Sequence, residues 1–177
     1  LYDVFIEVAG DRWVDRVGFR TLQTRGREML LNGAPRFLKG IALHEERIGP
    51  EGGRITTEAE ARALLTEAKA LGCDFVRLAH YPHGETTVRL ADELGLIVWA
   101  EIPVYWEDVA YDAPATLALA RQMMAEMILR DRNRCSVGFW SVANETPQTP
   151  ERLAFLRTVI GDVRALDTTR LVTAALN

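Results

Sequence analysis

The chain has 177 residues, 48% of them hydrophobic, and a formal net charge of −4 at pH 7. It is long enough to bury a hydrophobic core, while its negative charge and the absence of a Lys/Arg run argue against a nucleic-acid partner or an anionic membrane surface. No stretch approaches the roughly 20 apolar residues that span a bilayer, and no secretion signal is recognisable, so we expect a soluble, cytoplasmic protein with no membrane partner.

The two cysteines each precede a predicted strand, Cys73 before the second strand of the α/β region and Cys135 before the fourth. Because parallel strands begin at the same end of a domain, both thiols should lie at that end, partly buried. We predict that they are unbridged, which fits a reducing compartment.

Residues 1–31 have the pattern of antiparallel strands. Val4, Ile6 and Val8 alternate with their neighbours, a turn follows at residues 9–11, and a second strand runs from Trp13 to Arg20 and continues to residue 24. Two or three such strands do not form a stable unit alone. We therefore predict that residues 1–31 are the last strands of a β-domain whose earlier strands lie outside this chain.

From Phe37 onward, short apolar runs alternate with helical periods. The predicted strands are Phe37–Leu43, Asp74–Ala79, Leu96–Ala100, a stretch beginning at Val137, and Leu171–Ala175. The first helix has Thr57 as N-cap with Glu60 in a capping box and ends at Gly72, and the second spans residues 85–94. The third and fourth helices begin near Pro114 and Pro150. The inward face of the fourth helix is predicted to comprise Leu153, Leu156, Ile160, Val163 and Leu166.

This β, α alternation requires parallel strands with right-handed crossovers, as in a doubly wound sheet or a (β/α)8 barrel. A dinucleotide-binding sheet needs a glycine-rich turn after its first strand, and the sequence has none there, so the barrel is favoured. A complete barrel takes about 250 residues. We therefore predict an α/β fold in which residues 32–177 form the N-terminal part of a TIM barrel, about strands one to five.

Polar groups follow four successive predicted strands: His44-Glu45-Glu46, His80 to His83, Glu101, and Asn144-Glu145. The carboxyl ends of parallel barrel strands share one face, where ligands bind. Taken alone, Asn144 could cap a turn and Glu145 could be a solvated loop acid, but four such ends in succession favour a site. Carboxylates and donors beside the aromatic residues Tyr105, Trp106 and Trp140 suit a sugar. For His83 and Glu46 taken alone, the exposed-loop interpretation is the better one.

Arg77 lies within the second strand, and a buried arginine requires a carboxylate partner, for which Glu145 and Glu101 are the candidates. Metal binding is the rival chemistry, because histidines and carboxylates recur at these strand ends. No His-x-His or His-Glu-x-x-His spacing is present, so we predict no metal and no cofactor.

Five segments, taken in order, resemble glycoside hydrolase family 2, which includes β-galactosidases, β-glucuronidases and β-mannosidases. They are Leu31–Gly33 with Phe37–Ile41, His44-Glu45-Glu46, Val76–Pro82, Ile97–Pro103 and Phe139–Glu145. The Arg-x-x-His-Tyr-Pro and Trp-Ser-x-x-Asn-Glu patterns are the most specific. The resemblance also implies that the first strands close an immunoglobulin-like sandwich ahead of the barrel.

By this resemblance, Glu145 is the acid/base and Asn144 holds the 2-hydroxyl of the sugar. His44 and His80 look like sugar-site residues, and Arg77 resembles the barrel arginine that helps set carboxylate charge. Glu101 and Trp140 complete the expected substrate-binding set. The nucleophile, a glutamate expected at the end of strand seven, and the family's N-terminal sugar-binding domain are expected outside these 177 residues.

The implied activity is retaining hydrolysis of β-galactosides or β-glucuronides, with a β-linked carbohydrate as the partner. Two alternatives remain open: an inactive carbohydrate-binding partial barrel, and a fragment without independent function. Since a partial barrel has two open edges and an exposed apolar helix layer, we also expect an oligomer or contacts that cover those edges.

Overall fold

The computed structural model describes residues 1–50, 52–106 and 109–176. Strands β1 (Tyr2–Val8) and β2 (Asp11–Val17) form an antiparallel hairpin, and β3 (Leu22–Arg25), β4 (Glu28–Leu31) and β5 (Ala34–Pro35) form a separate sheet. The prediction that the second strand continues to residue 24 is wrong. The side chain of Arg20 donates to the carbonyl oxygens of Cys135 and Val137, which draws the chain away from the hairpin and towards the α/β region. That the hairpin closes an immunoglobulin-like sandwich stays a prediction.

Strands and helices then alternate along the chain. They are β6 (Gly40–Leu43), a small hairpin of β7 (Glu46–Arg47) and β8 (Gly53–Arg54), α1 (Glu58–Ala70), β9 (Phe75–Leu78), α2 (Glu85–Leu94), β10 (Ile97–Glu101), α3 (Pro114–Asp131), β11 (Val137–Asn144), α4 (Pro150–Leu166) and β12 (Leu171–Ala175). Within the described ranges, β6, β9, β10, β11 and β12 form one parallel sheet in chain order. This confirms the α/β class and is the arrangement of part of a TIM barrel.

The two faces of this sheet differ in chemistry because side chains alternate along each strand. Val76, Leu78 and Val98 lie on the face that packs against the helices and are fully buried in the main core. Arg77 and Glu101 lie on the opposite face, which is the interior of a barrel. Polar groups therefore reach the barrel interior while the helix side stays apolar.

The starts of the helices follow the sequence signals. Thr57 and Glu60 form the predicted capping box of α1, and Pro114 lies in the first turn of α3. Both cysteines are free thiols, as predicted, and burial together with Asp92 raises the pKa of Cys135 to about 11. No helix in the described part of the chain is long and apolar enough to cross a membrane.

The inward face of α4 differs from the prediction. Phe155 and Val159 are buried, whereas Leu153, Ile160 and Leu166 are exposed. Leu156 and Val163 belong both to the predicted apolar stripe and to the observed one, which also contains Phe155 and Val159. Periodicity alone therefore does not determine which stripe faces inward. The buried side chain of Arg152 donates to Thr146 Oγ1 at 2.8 Å, which favours the rotation that turns Phe155 inward.

Gly40 permits close approach of β6 to β9. A Cβ atom at this position would lie 2.3 Å from the backbone oxygen of Phe75. We expect Gly40→Ala to lower the free energy of unfolding by roughly 1–3 kcal/mol, because the two strands must separate to admit the methyl group. Urea unfolding measures this change.

Gly161→Ala is the matched control, since a Cβ at that position in α4 has no described atom within 4 Å apart from its chain neighbours and the backbone of its own helix. It should raise stability by roughly 0.5–1 kcal/mol, through helix propensity. A Gly40→Ala variant as stable as the unmodified chain would contradict the close approach of the strands.

Candidate active site

Glu101, the last residue of β10, is the centre of a buried hydrogen-bond network. Its Oε2 atom accepts from Trp99 Nε1 and from Ser141 Oγ, each at 2.9 Å, and its Oε1 atom lies 2.7 Å from His80 Nδ1. Arg77 donates to both oxygens, with Nη2 at 3.0 and 2.9 Å. The side chain is 0% exposed and its acceptor positions are filled by protein donors. The expectation that Glu101 contacts a sugar directly is therefore wrong, because this carboxylate positions its neighbours.

Arg77 has the buried carboxylate partner that its place in a strand requires, and that partner is Glu101. The same Nη2 atom donates to Asn144 Oδ1 at 2.5 Å. Because a guanidinium can only donate, this contact fixes which side of the Asn144 amide carries the oxygen. The amide nitrogen is thereby left as a donor for other groups.

His80 and His44 lie side by side at this end of the sheet. The His80 Nδ1 atom contacts both Glu101 Oε1, at 2.7 Å, and Arg77 Nη2, at 3.3 Å. The short contact with a carboxylate requires a proton on Nδ1, so the longer contact is packing and not a hydrogen bond. The His44 ring meets the His80 ring edge to face, with centroids 5.2 Å apart, and is about half exposed.

Glu145 lies just beyond β11 and is exposed. Its backbone has φ of +50°, and its N–H donates to the carbonyl oxygen of Ala175 at 3.0 Å. Trp106, in the loop after β10, donates from Nε1 to Glu145 Oε2 at 3.3 Å. The backbone N–H of Trp106 also donates to the Asn144 carbonyl oxygen at 3.3 Å. The ends of β11 and β12 and the loop after β10 are thus joined around Glu145.

The structure brings the predicted strand-end residues together. Contacts run in sequence from His44 to His80, Glu101, Arg77 and Asn144, and Glu145 follows Asn144 directly in the chain. All six lie at the carboxyl ends of the parallel strands or on the barrel side of them. The geometry provides an exposed carboxylate beside an oriented carboxamide, supported by a buried ion pair.

Trp140 does not belong to this cluster. Its side chain is 0% exposed and packs in the helix-side core, and its Nε1 donates to Asp167 Oδ2 at 2.9 Å. It lies beside Ala100 and Val172 in the sheet, whereas the next residue, Ser141, faces Glu101. The expectation that Trp140 contacts a sugar is wrong, because side-chain alternation places it on the other face of the sheet.

The contact between Trp140 and Asp167 is structural, and it makes stability depend on pH. Burial raises the pKa of Asp167, but hydrogen bonds from Thr169 and Trp140 and the charge of Arg170 lower it more, to about 2 from an ordinary value of 3.8. The folded state is therefore stabilised above about pH 4, and this contribution is lost as the pH falls towards 2. We expect Asp167→Asn to cost about 2 kcal/mol at pH 7, with the difference shrinking towards pH 2.

Urea unfolding at a series of pH values measures this effect. Asp162→Asn is the matched control, because Asp162 lies on α4, five residues before Asp167, and forms a surface ion pair with Arg121. An Asp167→Asn deficit as large at pH 2 as at pH 7 would show that the carboxylate charge is not the cause.

A second buried cluster lies beneath the loop after β6. Glu45 is 3% exposed and accepts from Arg54 Nε at 2.6 Å, the Gly84 N–H at 2.7 Å and Thr87 Oγ1 at 2.8 Å. Burial raises its pKa, but these hydrogen bonds lower it more, and the net direction is down. Since Gly84 gives α2 no side-chain cap among the described residues, Glu45 caps that helix from another loop.

His83, expected in an exposed loop, is 1% exposed. Its Nε2 donates to the Ala79 carbonyl oxygen at 3.0 Å, the Tyr81 ring stacks on it, and burial lowers its pKa, which favours the neutral ring. Glu46 is exposed, as expected. Within residues 1–50, 52–106 and 109–176, no group of three His, Cys, Asp or Glu side chains is placed to hold a metal ion.

Barrel enzymes place their catalytic groups at the carboxyl ends of the strands, and most glycosidases act through carboxylates. The model of the "Glycosyl hydrolases family 2, TIM barrel domain" matches residues 22–177. The chain therefore belongs to glycoside hydrolase family 2. The match begins ahead of the boundary predicted at residue 32, which stays a prediction.

Individual relatives are consistent with this family. The chain is 34% identical over 160 residues to the β-glucuronidase of Sus scrofa, covering 89% of this chain and 24% of that protein. It is 32% identical over 154 residues to the β-galactosidase of Arthrobacter sp. (strain B7), covering 82% and 15%. A solved β-glucuronidase from an uncultured Clostridium sp. superposes with a TM-score of 0.90 at 28% identity, covering 99% of this chain and 32% of that one. The chain thus spans about a third or less of these proteins.

Proposed function

We propose that this chain supplies the acid/base half of the active site of a larger retaining β-glycosidase, with Glu145 as the acid/base. The observation that carries the proposal is the pairing of an exposed Glu145 with Asn144, whose amide is held by Arg77 at 2.5 Å. Family membership and relatives that are β-glucuronidases and β-galactosidases support it.

In this mechanism Glu145 protonates the departing glycosidic oxygen while a second carboxylate, roughly 5 Å away, attacks the anomeric carbon. The leaving group departs as an alcohol, and the sugar becomes esterified to the attacking carboxylate. Glu145, now deprotonated, takes a proton from water as that water attacks the same carbon and releases the sugar. The configuration is retained because two inversions occur.

The surrounding residues have distinct roles in the proposal. The Asn144 amide nitrogen donates to the 2-hydroxyl oxygen of the sugar, because its oxygen is engaged by Arg77. His80, held by Glu101 at 2.7 Å, and the half-exposed His44 line the sugar site. Arg77 and Glu101 are positioning residues that set the orientation of Asn144 and His80.

The attacking carboxylate cannot be Glu101, because that side chain is fully buried and occupied by protein donors. By resemblance, the nucleophile belongs to a barrel strand beyond the five described here. Residues 1–177 alone should therefore not hydrolyse a β-glycoside. Strands β6 and β12 each pair with one neighbour within the described ranges, and we propose that further chain or a second copy covers these edges.

The test is an assay of residues 1–177 and of the complete protein that contains them on aryl β-glucuronide, β-galactoside and β-mannoside. We expect hydrolysis of the β-glucuronide or β-galactoside by the complete protein and none by residues 1–177. Turnover by residues 1–177 that disappears in Glu145→Gln would contradict the incomplete site. No turnover of any of the three by the complete protein, together with measurable sugar binding, would favour a carbohydrate-binding function instead.

A further inference from the structure

Trp106 is an aromatic residue whose side chain is hydrogen-bonded to the exposed carboxylate of Glu145. Its indole Nε1 donates to Glu145 Oε2 at 3.3 Å, yet the residue is 53% exposed. One edge of the indole is therefore hydrogen-bonded to Glu145, while much of the ring remains accessible to a ligand.

The loop holds this side chain in an uncommon backbone conformation. Trp106 has φ of +58°, a region that bulky residues rarely occupy. The conformation is secured by the Trp106 N–H, which donates to the Asn144 carbonyl oxygen at 3.3 Å, and by Tyr111, whose hydroxyl donates to the Trp106 carbonyl oxygen at 3.0 Å. Such outliers are maintained when the surroundings enforce them, often at ligand sites.

The position of the Trp106 indole relative to Glu145 indicates which part of a substrate it would contact. An acid/base contacts the glycosidic oxygen, which joins the sugar to the leaving group. Arg77, Asn144 and His80 form the sugar side of Glu145, and Tyr105 packs towards His80 with ring centroids 6.3 Å apart. Trp106 approaches the carboxylate itself and keeps an exposed ring, so it is placed for the group beyond the oxygen.

We propose that Trp106 determines specificity for the leaving group, by stacking its exposed indole against a planar aromatic aglycone. This inference rests on the proposed function, because the direction of the leaving group follows from Glu145 as proton donor. Aromatic stacking suits the site, since a flat apolar surface borders a polar one. Trp99 and Trp140 cannot serve in this way, because Trp99 donates to Glu101 within the network and Trp140 is fully buried.

The test compares 2-phenylethyl and methyl β-glycosides of the preferred sugar in the complete protein. Both leaving groups are alkoxides that need protonation, so they differ mainly in the aromatic ring. Trp106→Ala removes both the ring and the Nε1 donor to Glu145, so both substrates should slow, but kcat/KM for the phenylethyl glycoside should fall roughly 10-fold further than kcat/KM for the methyl glycoside. Trp106→Phe, which keeps a ring, should retain most of the preference.

Trp13→Ala is the matched control, because Trp13 is an exposed tryptophan on the β1–β2 hairpin, and it should leave both substrates unaffected. Equal losses on both substrates in Trp106→Ala would overturn the inference, and so would no loss on either. The inference and the proposed function fail separately: if Glu145→Gln hydrolyses methyl glycosides at the unmodified rate, the proposed function is wrong whatever Trp106 does.

Discussion

Replacing Glu145 by Gln in the complete protein is expected to lower kcat for β-glycosides with alkyl leaving groups by roughly 100- to 10,000-fold, the usual contribution of a general acid. Glutamine has nearly the same shape and can still accept from Trp106, but it cannot donate a proton to the departing oxygen. Steady-state hydrolysis at pH 7, with melting temperatures to verify folding, measures the loss.

Glu126→Gln is the matched control. Glu126 lies on α3, where its side chain accepts from Gln122 at 2.8 Å, on an exposed stretch of the helix. Its replacement should leave kcat unchanged. A Glu145→Gln variant that keeps more than about half of the unmodified kcat would show that another group supplies the proton.

The second large effect is on stability. Glu101→Gln is expected to lower the free energy of unfolding by roughly 3–5 kcal/mol, because it leaves the Arg77 guanidinium without a counter-charge in a buried network. The substitution also places an amide N–H₂ group, which can only donate, against the donor groups of Trp99, Ser141 or His80. Urea unfolding of residues 1–177 measures the change directly.

Glu28→Gln serves as the comparison, since Glu28 pairs with Arg25 on the surface, and its loss should have little effect on the urea midpoint.

A measurement of kcat distinguishes the positioning of Asn144 and His80 by Glu101 from a general loss of stability. In the complete protein, Glu101→Gln should lower kcat even where the variant is fully folded, because Asn144 and His80 lose their alignment. An undiminished kcat in the folded variant would mean that Glu101 does not position them.

The order of elements could be predicted because short apolar runs alternate with capped helices, and parallel strands then require a shared strand-end face. The place of Arg77 within a strand of the sheet likewise favoured a carboxylate partner. Arg77 could be assigned to Glu101 rather than Glu145 only from the structure, since the choice depends on adjacent strands in register.

The face on which Trp140 lies could not be predicted, because every residue of β11 is buried and no polar alternation marks its two sides. The position of Ser141 was the available signal: a hydroxyl near the strand end belongs with the polar barrel interior, which turns Trp140 away. The two overlapping apolar stripes of α4 left its rotation undetermined in the same way.

Trp106 was recognisable only as an aromatic residue near the site. Tryptophan carries no turn signal, so its φ of +58° and its contact with Glu145 depend on how the loop is bonded to the end of β11. His83 was assigned to an exposed loop for a similar reason, since its burial results from packing against Tyr81 and Ala79.

The central claim is that Glu145 is the proton donor, and leaving-group dependence tests it most directly. Dinitrophenolate departs with little protonation, whereas an alkoxide requires it. The complete protein and its Glu145→Gln variant should therefore be compared on 2,4-dinitrophenyl and methyl β-glycosides of the same sugar. We predict a formation step for the glycosyl-enzyme that is nearly unchanged for the dinitrophenyl glycoside and slowed by roughly 100-fold or more for the methyl glycoside. Equal slowing on both substrates would contradict the assignment.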